Sequence, residues 1–356
     1  MTTKKIPQRA IGRNGPMVGS IGFGAMGVGA WYGKTDENEA FKTLTKALDR
    51  GMNLWDTSDI YGTSEETIGK WFKQTGRRSE VFLATKWGAR DPESPPGPPN
   101  GPISKPSHIV KSVNRSLQRL QTDYIDLYYQ HRVDPKVPIE VVMETLRPFV
   151  EQGKIKYLGL SECSIDTLKR AKAVKGLGER LIAVQMEYSP FTLDIEQNGF
   201  AAAAEELGVS VIAYSPLGRG LLTGRFRSRA DFDADDLRLI LPRWSEENFP
   251  KNLAIVDKLK EIADQLGATT SQVTLAWILA EHPNFIPIPG SRSAERVKEN
   301  GSSAELILSP DAVKAIRALI DNAEVAGTRN RTVAWILAGV EGNCIKPEEW
   351  KGEDNM

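Results

Sequence analysis

Eight short apolar runs, each leading into a stretch with helical spacing, predict an α/β chain folded as a (β/α)8 TIM barrel with extra helices and a C-terminal tail. Two further observations support this class. The runs are apolar on both faces, as parallel strands are when helices cover one side and side chains fill the other. The alternation also occupies roughly 300 residues, which suits a barrel better than a doubly wound open sheet, the other fold it permits.

Taken in order, Ser20–Phe23 reads as the first strand. Asp36 and Glu39 then make a capping-box pattern, and Ala40, Phe41, Leu44, Ala47 and Leu48 share one helical face before a stop at Gly51. Strand Asn53–Asp56 follows, then a helix from Ser64 through Ile68, Trp71 and Phe72, then strand Val81–Thr85. Helix Ser107–Leu120 leads to strand Ile125–Gln130. Helix Ile139–Gln152, closed by Gly153, leads to strand Ile155–Leu160. Helix Ile165–Val174 precedes strand Ile182–Met186, and helix Gly199–Leu207 precedes strand Ser210–Tyr214. Two helical patterns, Leu253–Leu266 and Gln272–Ala280, come before a short strand, Phe285–Ile288, and helix Ser293–Ala304. No linker splits the chain, so residues 1–356 read as one domain. The Pro/Gly-rich stretch Asp91–Pro106 lies inside a βα connection, which places it over the mouth of a barrel. The tail after Glu324 has an apolar run, Val333–Val340, that could fold over the site or against a second copy.

Composition narrows the classes. Lys plus Arg and Asp plus Glu both number 46, so net charge is zero. The densest basic stretch, Arg219 to Arg229, is too short for a nucleic-acid stripe. Two distant cysteines, Cys163 and Cys344, exclude a disulfide scaffold and a CxxC zinc site. Three scattered histidines lack metal-ligand spacing, so no metal is expected. The N-terminus lacks an apolar signal region and no run is long enough to span a bilayer; a cytosolic setting without a membrane partner is the expectation.

Three strand-like runs stop at polar groups: Asp56, Lys86 and His131, with Tyr61 just after the first. Each has an ordinary reading alone, such as a buried tyrosine or an edge lysine. Together, at successive strand ends of a barrel, an acid, an amine, an imidazole and a phenol make a proton-donor site. Gly22-Phe-Gly24-Ala-Met-Gly27 matches GxGxxG, but a dinucleotide fingerprint needs a helix opening there and an acid about 20 residues on. The first convincing helix begins only at Glu37, so these glycines read as a loop for close backbone approach.

The motifs Ile-Gly-Phe-Gly-Ala-Met-Gly, Trp-Asp56-Thr-Ser-Asp-Ile-Tyr61-Gly, Thr85-Lys86, Tyr-Tyr-Gln-His131, Gly-Leu-Ser161-Glu-Cys, Gln185-Met-Glu-Tyr-Ser-Pro, Ala-Tyr214-Ser-Pro-Leu-Gly and Ile-Pro-Gly-Ser291-Arg resemble the aldo-keto reductases. The likeness covers about residues 8 to 325 in family order, and leans toward the branch with yeast-type aldehyde and pyridoxal reductases and perakine reductase. It implies a catalytic tetrad of Asp56, Tyr61, Lys86 and His131 and reversible NADPH-dependent reduction of an aldehyde or ketone. In such a site the phenol is the proton donor. A free phenol titrates at about 10, and a neighbouring ammonium favours its ionised form. Lys86 would play that part, Asp56 would hold Lys86, and His131 would orient the carbonyl.

The resemblance also implies a cofactor along the ends of strands five to eight. Ser161 and Gln185 suit a carboxamide, and Tyr214 suits stacking on nicotinamide. Where many relatives carry Asn after the serine, this chain carries Glu162. Ser215, Leu217, Arg219 and Leu221 belong to a small-residue loop suited to a pyrophosphate. Ser291, Arg292 and Arg296 suit the 2′-phosphate of NADP at a helix start, and Glu299 and Asn300 match adenine-amide contacts. Trp31, Tyr32 and Trp87 suggest an aromatic-lined substrate pocket. A small carbonyl compound is the expected partner. Pyridoxal, aryl aldehydes and alkaloid- or sugar-derived aldehydes are all open, as are monomer and homo-oligomer. The alternative from another class is an NADPH-binding regulatory subunit resembling potassium-channel β-subunits.

Overall fold

The computed structural model describes residues 5–29, 36–95, 101–234, 236–329 and 342–355. Eight parallel strands lie side by side in chain order. They are β1 (Phe23–Gly24), β2 (Leu54–Asp56), β3 (Phe82–Trp87), β4 (Ile125–Gln130), β5 (Ile155–Ser161), β6 (Leu181–Glu187), β7 (Ser210–Tyr214) and β8 (Phe285–Pro287). The first and last also meet. Gly24 bridges Gly290, and the Gly22 and Gly24 N–H groups donate to Pro287 O at 2.9 Å and Pro289 O at 3.3 Å. The sheet therefore closes into the expected barrel.

That seam explains the glycines of the GxGxxG match. A Cβ on Gly24 would sit 2.8 Å from Ile288 O, and one on Gly22 2.8 Å from Ile288 Cγ2. The glycines let β1 and the end of β8 approach. A four-residue helical turn, Met26–Gly29, does follow them, contrary to the expectation that no helix opens there. It is a single turn, and the crossover helix α1 (Glu37–Asp49) begins later, with Asp36 accepting from Asn38 N and Glu39 N at 3.0 and 3.2 Å.

The other crossover helices are α2 (Ser64–Thr75), α3 (Pro106–Arg119), α4 (Ile139–Glu151), α5 (Ile165–Ala173) and α6 (Phe200–Glu206). After β7 come α7 (Asn248–Gln265) and α8 (Thr270–Glu281), and after β8 come α9 (Ala294–Ser302) and α10 (Pro310–Asp321). Gly153 follows α4 with φ +72°, the left-handed geometry that its expected stop role requires. Among the described residues no helix is long and apolar enough to cross a membrane.

The first strand was expected at Ser20–Phe23. Instead Gln8–Ala10 and Met17–Gly19 pair as an antiparallel hairpin, and β1 starts at Phe23. The hairpin plugs the barrel at the end opposite the Asp56 and Lys86 termini. Ile11 and Val18 are fully buried among the interior residues Leu54, Leu127, Ile212 and Ile286. The signal was present as Asn14-Gly15, a dipeptide that favours hairpin turns, and Asn14 has φ +60°.

Parallel register sets the other end. Asp56 pairs with Ala84, Lys86 with Tyr129, Ser161 with Gln185, and Glu187 with Tyr214. Side chains of one parity point inward, so Leu54 and Asp56, Phe82, Ala84 and Lys86, and Leu127 and Tyr129 build interior layers that turn from apolar to polar toward the mouth. The β5 residue Gly159 leaves room for the Tyr129 ring, whose nearest carbons would be 2.4 Å from a Cβ there. Described parts of the tail cross the same end: Ser164 N donates to Gly342 O at 3.0 Å, and Ile345 N to Pro135 O at 3.1 Å. Residues 333–340 lie outside the described residues.

Candidate active site

Asp56 is the last residue of β2 and Lys86 the last but one of β3, so their side chains share the interior layer nearest the mouth. Lys86 is fully buried. Its Nζ lies 2.5 Å from Asp56 Oδ1 and donates to Thr57 O at 2.7 Å, and the Tyr61 side chain beside it favours its charge. Burial opposes that charge, but Asp56 and then Tyr61 outweigh it and raise the Lys86 pKa. The other Asp56 oxygen accepts from Gln185 Nε2 at 2.8 Å.

Tyr61 is held by the β2–α2 turn, where its N–H donates to Ser58 O at 3.1 Å. Its half-buried ring stands edge-on to His131 with centroids 5.8 Å apart, and Lys86 Nζ is 4.9 Å from its centroid. His131 follows β4 and its N–H donates to Trp87 O at 2.7 Å. Nδ1 lies 3.0 Å from Ser58 Oγ. Burial first, then Arg132 and Lys86, push the imidazole well below its usual pKa, so the ring is neutral. The four residues named from sequence thus come together.

Behind Ser58 lies Asp59, whose carboxylate meets Arg115 at 3.1 Å. Burial and the neighbouring Glu65 raise its pKa to about 7. Neither Ser58 nor Asp59 was singled out from sequence, although both sit inside the motif that names Asp56 and Tyr61.

On the other side of the mouth, Ser161 ends β5 and is buried. Glu162 follows with φ +52°, and this backbone turn sends its carboxylate away from Ser161. Oε1 accepts from Tyr214 Oη at 2.9 Å and Glu187 N at 3.2 Å, and Arg329 pairs with both Glu162 oxygens. Burial opposes the Glu162 charge, but Arg329 and Arg132 outweigh it and hold the carboxyl below its usual range. Tyr214 is thereby fixed at the end of β7. Arg329, 167 positions from its partner, carries no local signal in the sequence.

The loop after Tyr214 makes two left-handed turns at non-glycine residues, Ser215 with φ +49° and Arg219 with φ +55°. Leu221 is buried and Leu217 packs against the core, so the loop is anchored by its apolar residues. Beyond β8, Ser293 caps α9 by accepting from Arg296 N at 3.4 Å. Ser291 is buried and its hydroxyl is taken up within the turn, donating to Ser293 O at 3.0 Å. Glu299 accepts from Thr269 Oγ1 at 2.7 Å, and Asn300 is buried. The Arg296 pKa is lowered by partial burial and then by Arg225 and Arg292, with Arg238 adding to the repulsion. Arg238 is balanced by Asp236 at 2.7 Å. Among the described residues no ion pair is formed by Arg225, Arg292 or Arg296, although the Glu299 carboxylate partly offsets the repulsion at Arg296 and Asp236 feels the Arg292 charge. Guanidinium groups crowded in this way leave an anion's place at the start of α9. Arg225 comes from the basic stretch Arg219 to Arg229, in which only Arg219 carried a task expected from the sequence.

The substrate-pocket assignment of Trp87 is corrected. Lys86 points inward, so Trp87 points outward. It is fully buried in the layer between strands and helices, stacked on Tyr128 at 6.2 Å. Trp31 and Tyr32 lie outside the described residues.

Residues 20–321 match the model of the aldo/keto reductase family. The chain belongs to that family. It is accordingly an oxidoreductase with the family's barrel. It is 45% identical over 340 residues to aldo-keto reductase str7 of Strobilurus tenacellus, covering 93% of this chain and 97% of that protein. It is 46% identical over 332 residues to aldo-keto reductase yakc [NADP(+)] of Schizosaccharomyces pombe, covering 91% and 94%. Among solved structures, the glycerol dehydrogenase AKR11B4 from Gluconobacter oxydans matches with a TM-score of 0.77 and 28% identity, over 92% of this chain and 98% of that one. The thermostable aldo-keto reductase Tm1743, in complex with the inhibitor epalrestat, matches with a TM-score of 0.70 and 28% identity, over 88% and 100%.

Proposed function

We propose that this reductase converts an aldehyde or ketone to the alcohol with NADPH, using Tyr61 as proton donor. The observation that carries the reading is the buried Asp56–Lys86 pair, with its ammonium 4.9 Å from the Tyr61 ring centroid and a neutral His131 beside that ring. NADPH, when bound, supplies the hydride. Lys86 stabilises negative charge on the Tyr61 oxygen as its proton leaves, and Asp56 keeps the ammonium in place. Ser58 Oγ is closer to His131 Nδ1, at 3.0 Å, than to Asp59 Oδ1 at 3.3 Å or Lys86 O at 3.4 Å. In the tautomer with its proton on Nε2, the neutral ring accepts from the Ser58 hydroxyl at Nδ1 and donates from Nε2 to a carbonyl oxygen.

The cofactor residues are those at the ends of β5 to β8. Gln185 and Ser161 take the carboxamide side and Tyr214 backs the ring. The loop Ser215–Leu221 serves the pyrophosphate. Arg292 and Arg296 at the start of α9, with Arg225, take the 2′-phosphate, and Glu299 and Asn300 face the adenine. The guanidinium cluster, in which Arg225 and Arg292 depress the Arg296 pKa more than Glu299 raises it, supports NADP over NAD, and the name of the fission-yeast relative agrees. No observation favours the regulatory-subunit alternative.

Tyr61→Phe tests the reading. It should lower turnover with an aromatic aldehyde by about 10²–10⁴-fold while NADPH fluorescence still changes on binding. A variant that reduces aldehydes at the wild-type rate would remove Tyr61 as the acid.

A further inference from the structure

Residue 162 is glutamate in this chain, and its carboxylate is turned toward Tyr214, Glu187 and Arg329 with both oxygens satisfied. It has no proton to donate and no free oxygen to accept with. A carboxamide bound beside Ser161 needs a donor for its oxygen and an acceptor for its nitrogen. Gln185 answers the second need. Its amide nitrogen is committed to Asp56 at 2.8 Å, which leaves Oε1 as the acceptor. The first need is met by a group outside the sequence-derived set.

Arg132 follows His131 and is half-buried. Its Nη1 donates to His131 O at 2.7 Å and reaches Ser161 Oγ at 3.4 Å. Among the described residues Nε and Nη2 have no partner, and no carboxylate lies within salt-bridge distance. The guanidinium is thus anchored at one corner beside Ser161, with donors to spare.

We propose that Arg132 donates to the carboxamide oxygen of bound nicotinamide, in the role residue 162 cannot fill, while Gln185 Oε1 accepts from the amide nitrogen. This rests on the reading that nicotinamide lies over the ends of β5 to β7. A cation there also discriminates by redox state, because the oxidised ring carries a positive charge and the reduced ring does not. Arg132 therefore favours NADPH over NADP+.

The test is equilibrium binding without substrate, followed by calorimetry or intrinsic fluorescence. The variants are Arg132→Met, which keeps an extended side chain without donors, and Arg132→Lys. The ligands are NADPH, NADP+ and 2′-phospho-ADP-ribose, which lacks nicotinamide. For Arg132→Met, the NADPH dissociation constant should rise about tenfold. NADP+ should weaken less, and the nicotinamide-free fragment should be unchanged. Arg132→Lys should recover part of the loss. Equal weakening of the fragment would mean a general structural role and overturn the proposal. So would unchanged NADPH binding accompanied by a raised KM for 4-carboxybenzaldehyde, which would assign the guanidinium to the substrate. A wild-type protein that binds the fragment but gains nothing from the nicotinamide would instead remove the underlying cofactor placement. The Tyr61 role is read from turnover and stands or falls separately.

Discussion

Replacing Lys86 by methionine separates the structural debt of the buried pair from its chemistry. The substitution keeps a long side chain but removes the cation 2.5 Å from Asp56 Oδ1. Asp56 would keep only the Gln185 Nε2 hydrogen bond at 2.8 Å. Breaking a buried pair on one side costs about 3–5 kcal/mol, because a charge is left uncompensated. At roughly 2.1 cal/mol/K per residue over 356 residues, that lowers the melting midpoint by about 4–7 °C. Burial already pushes the Asp56 carboxyl up, and without Lys86 nothing of comparable strength opposes it. The orphan therefore protonates in the folded state at a higher pH than in the unfolded chain. The deficit should be largest above neutrality and shrink toward pH 5, where the folded state keeps a proton the unfolded chain gives up. The double variant Asp56→Asn, Lys86→Met has no charge to strand and should regain most of the lost midpoint. Its aldehyde reduction should stay about 10²–10⁴-fold down, like that of the single variant. Thermal unfolding at pH 5.5 and 8, with steady-state turnover on all three proteins, reads both quantities. A single variant no less stable than the double one at pH 8 would refute the reasoning, as would turnover restored by the second substitution.

Arg296→Ala should weaken NADPH by about ten- to a hundredfold while NADH changes little, as charge-assisted bonds to one extra phosphate require; equal losses for the two cofactors would remove the 2′-phosphate assignment. The His131 pKa lies well below its ordinary value in the fold. Below about pH 6.5 the unfolded chain takes up a proton that the folded one refuses, so this contribution is present above that pH and lost as pH falls. His131→Gln should accordingly flatten the decline in melting midpoint between pH 7.5 and 5.5, and an unchanged slope would argue against a neutral ring. Gly24→Ala should cost about 1–3 kcal/mol through its clash with Ile288 O at the barrel seam, seen as a lower melting midpoint.

Much of this architecture is legible in residue order because barrel units are local. The inward apolar run to Lys86, the Asp36 cap and the Gly153 stop each depend on neighbours within a few positions. The hairpin was equally local, and Asn14-Gly15 announced it, yet its short flanking strands do not read as a buried plug. Trp87 shows a different lesson. Once Lys86 is placed inside, period two sends the next residue outward, so the tryptophan's packing role follows from the same alternation that locates the lysine. The remainder is written at long range. Arg329 reaches Glu162 from the tail, and Arg225 reaches the start of α9 from another loop. Nothing about either arginine distinguishes it, in sequence, from the solvated cations around it.

Gln185 spans two tasks. Its nitrogen steadies Asp56, which steadies Lys86, and in the proposed cofactor placement its oxygen serves the carboxamide. Under that proposal, proton supply and hydride supply share one side chain as a common strut. Redesign of this position for a different dinucleotide would also disturb the acidity on the far side of the mouth, and an altered pH–rate profile would be its first visible symptom.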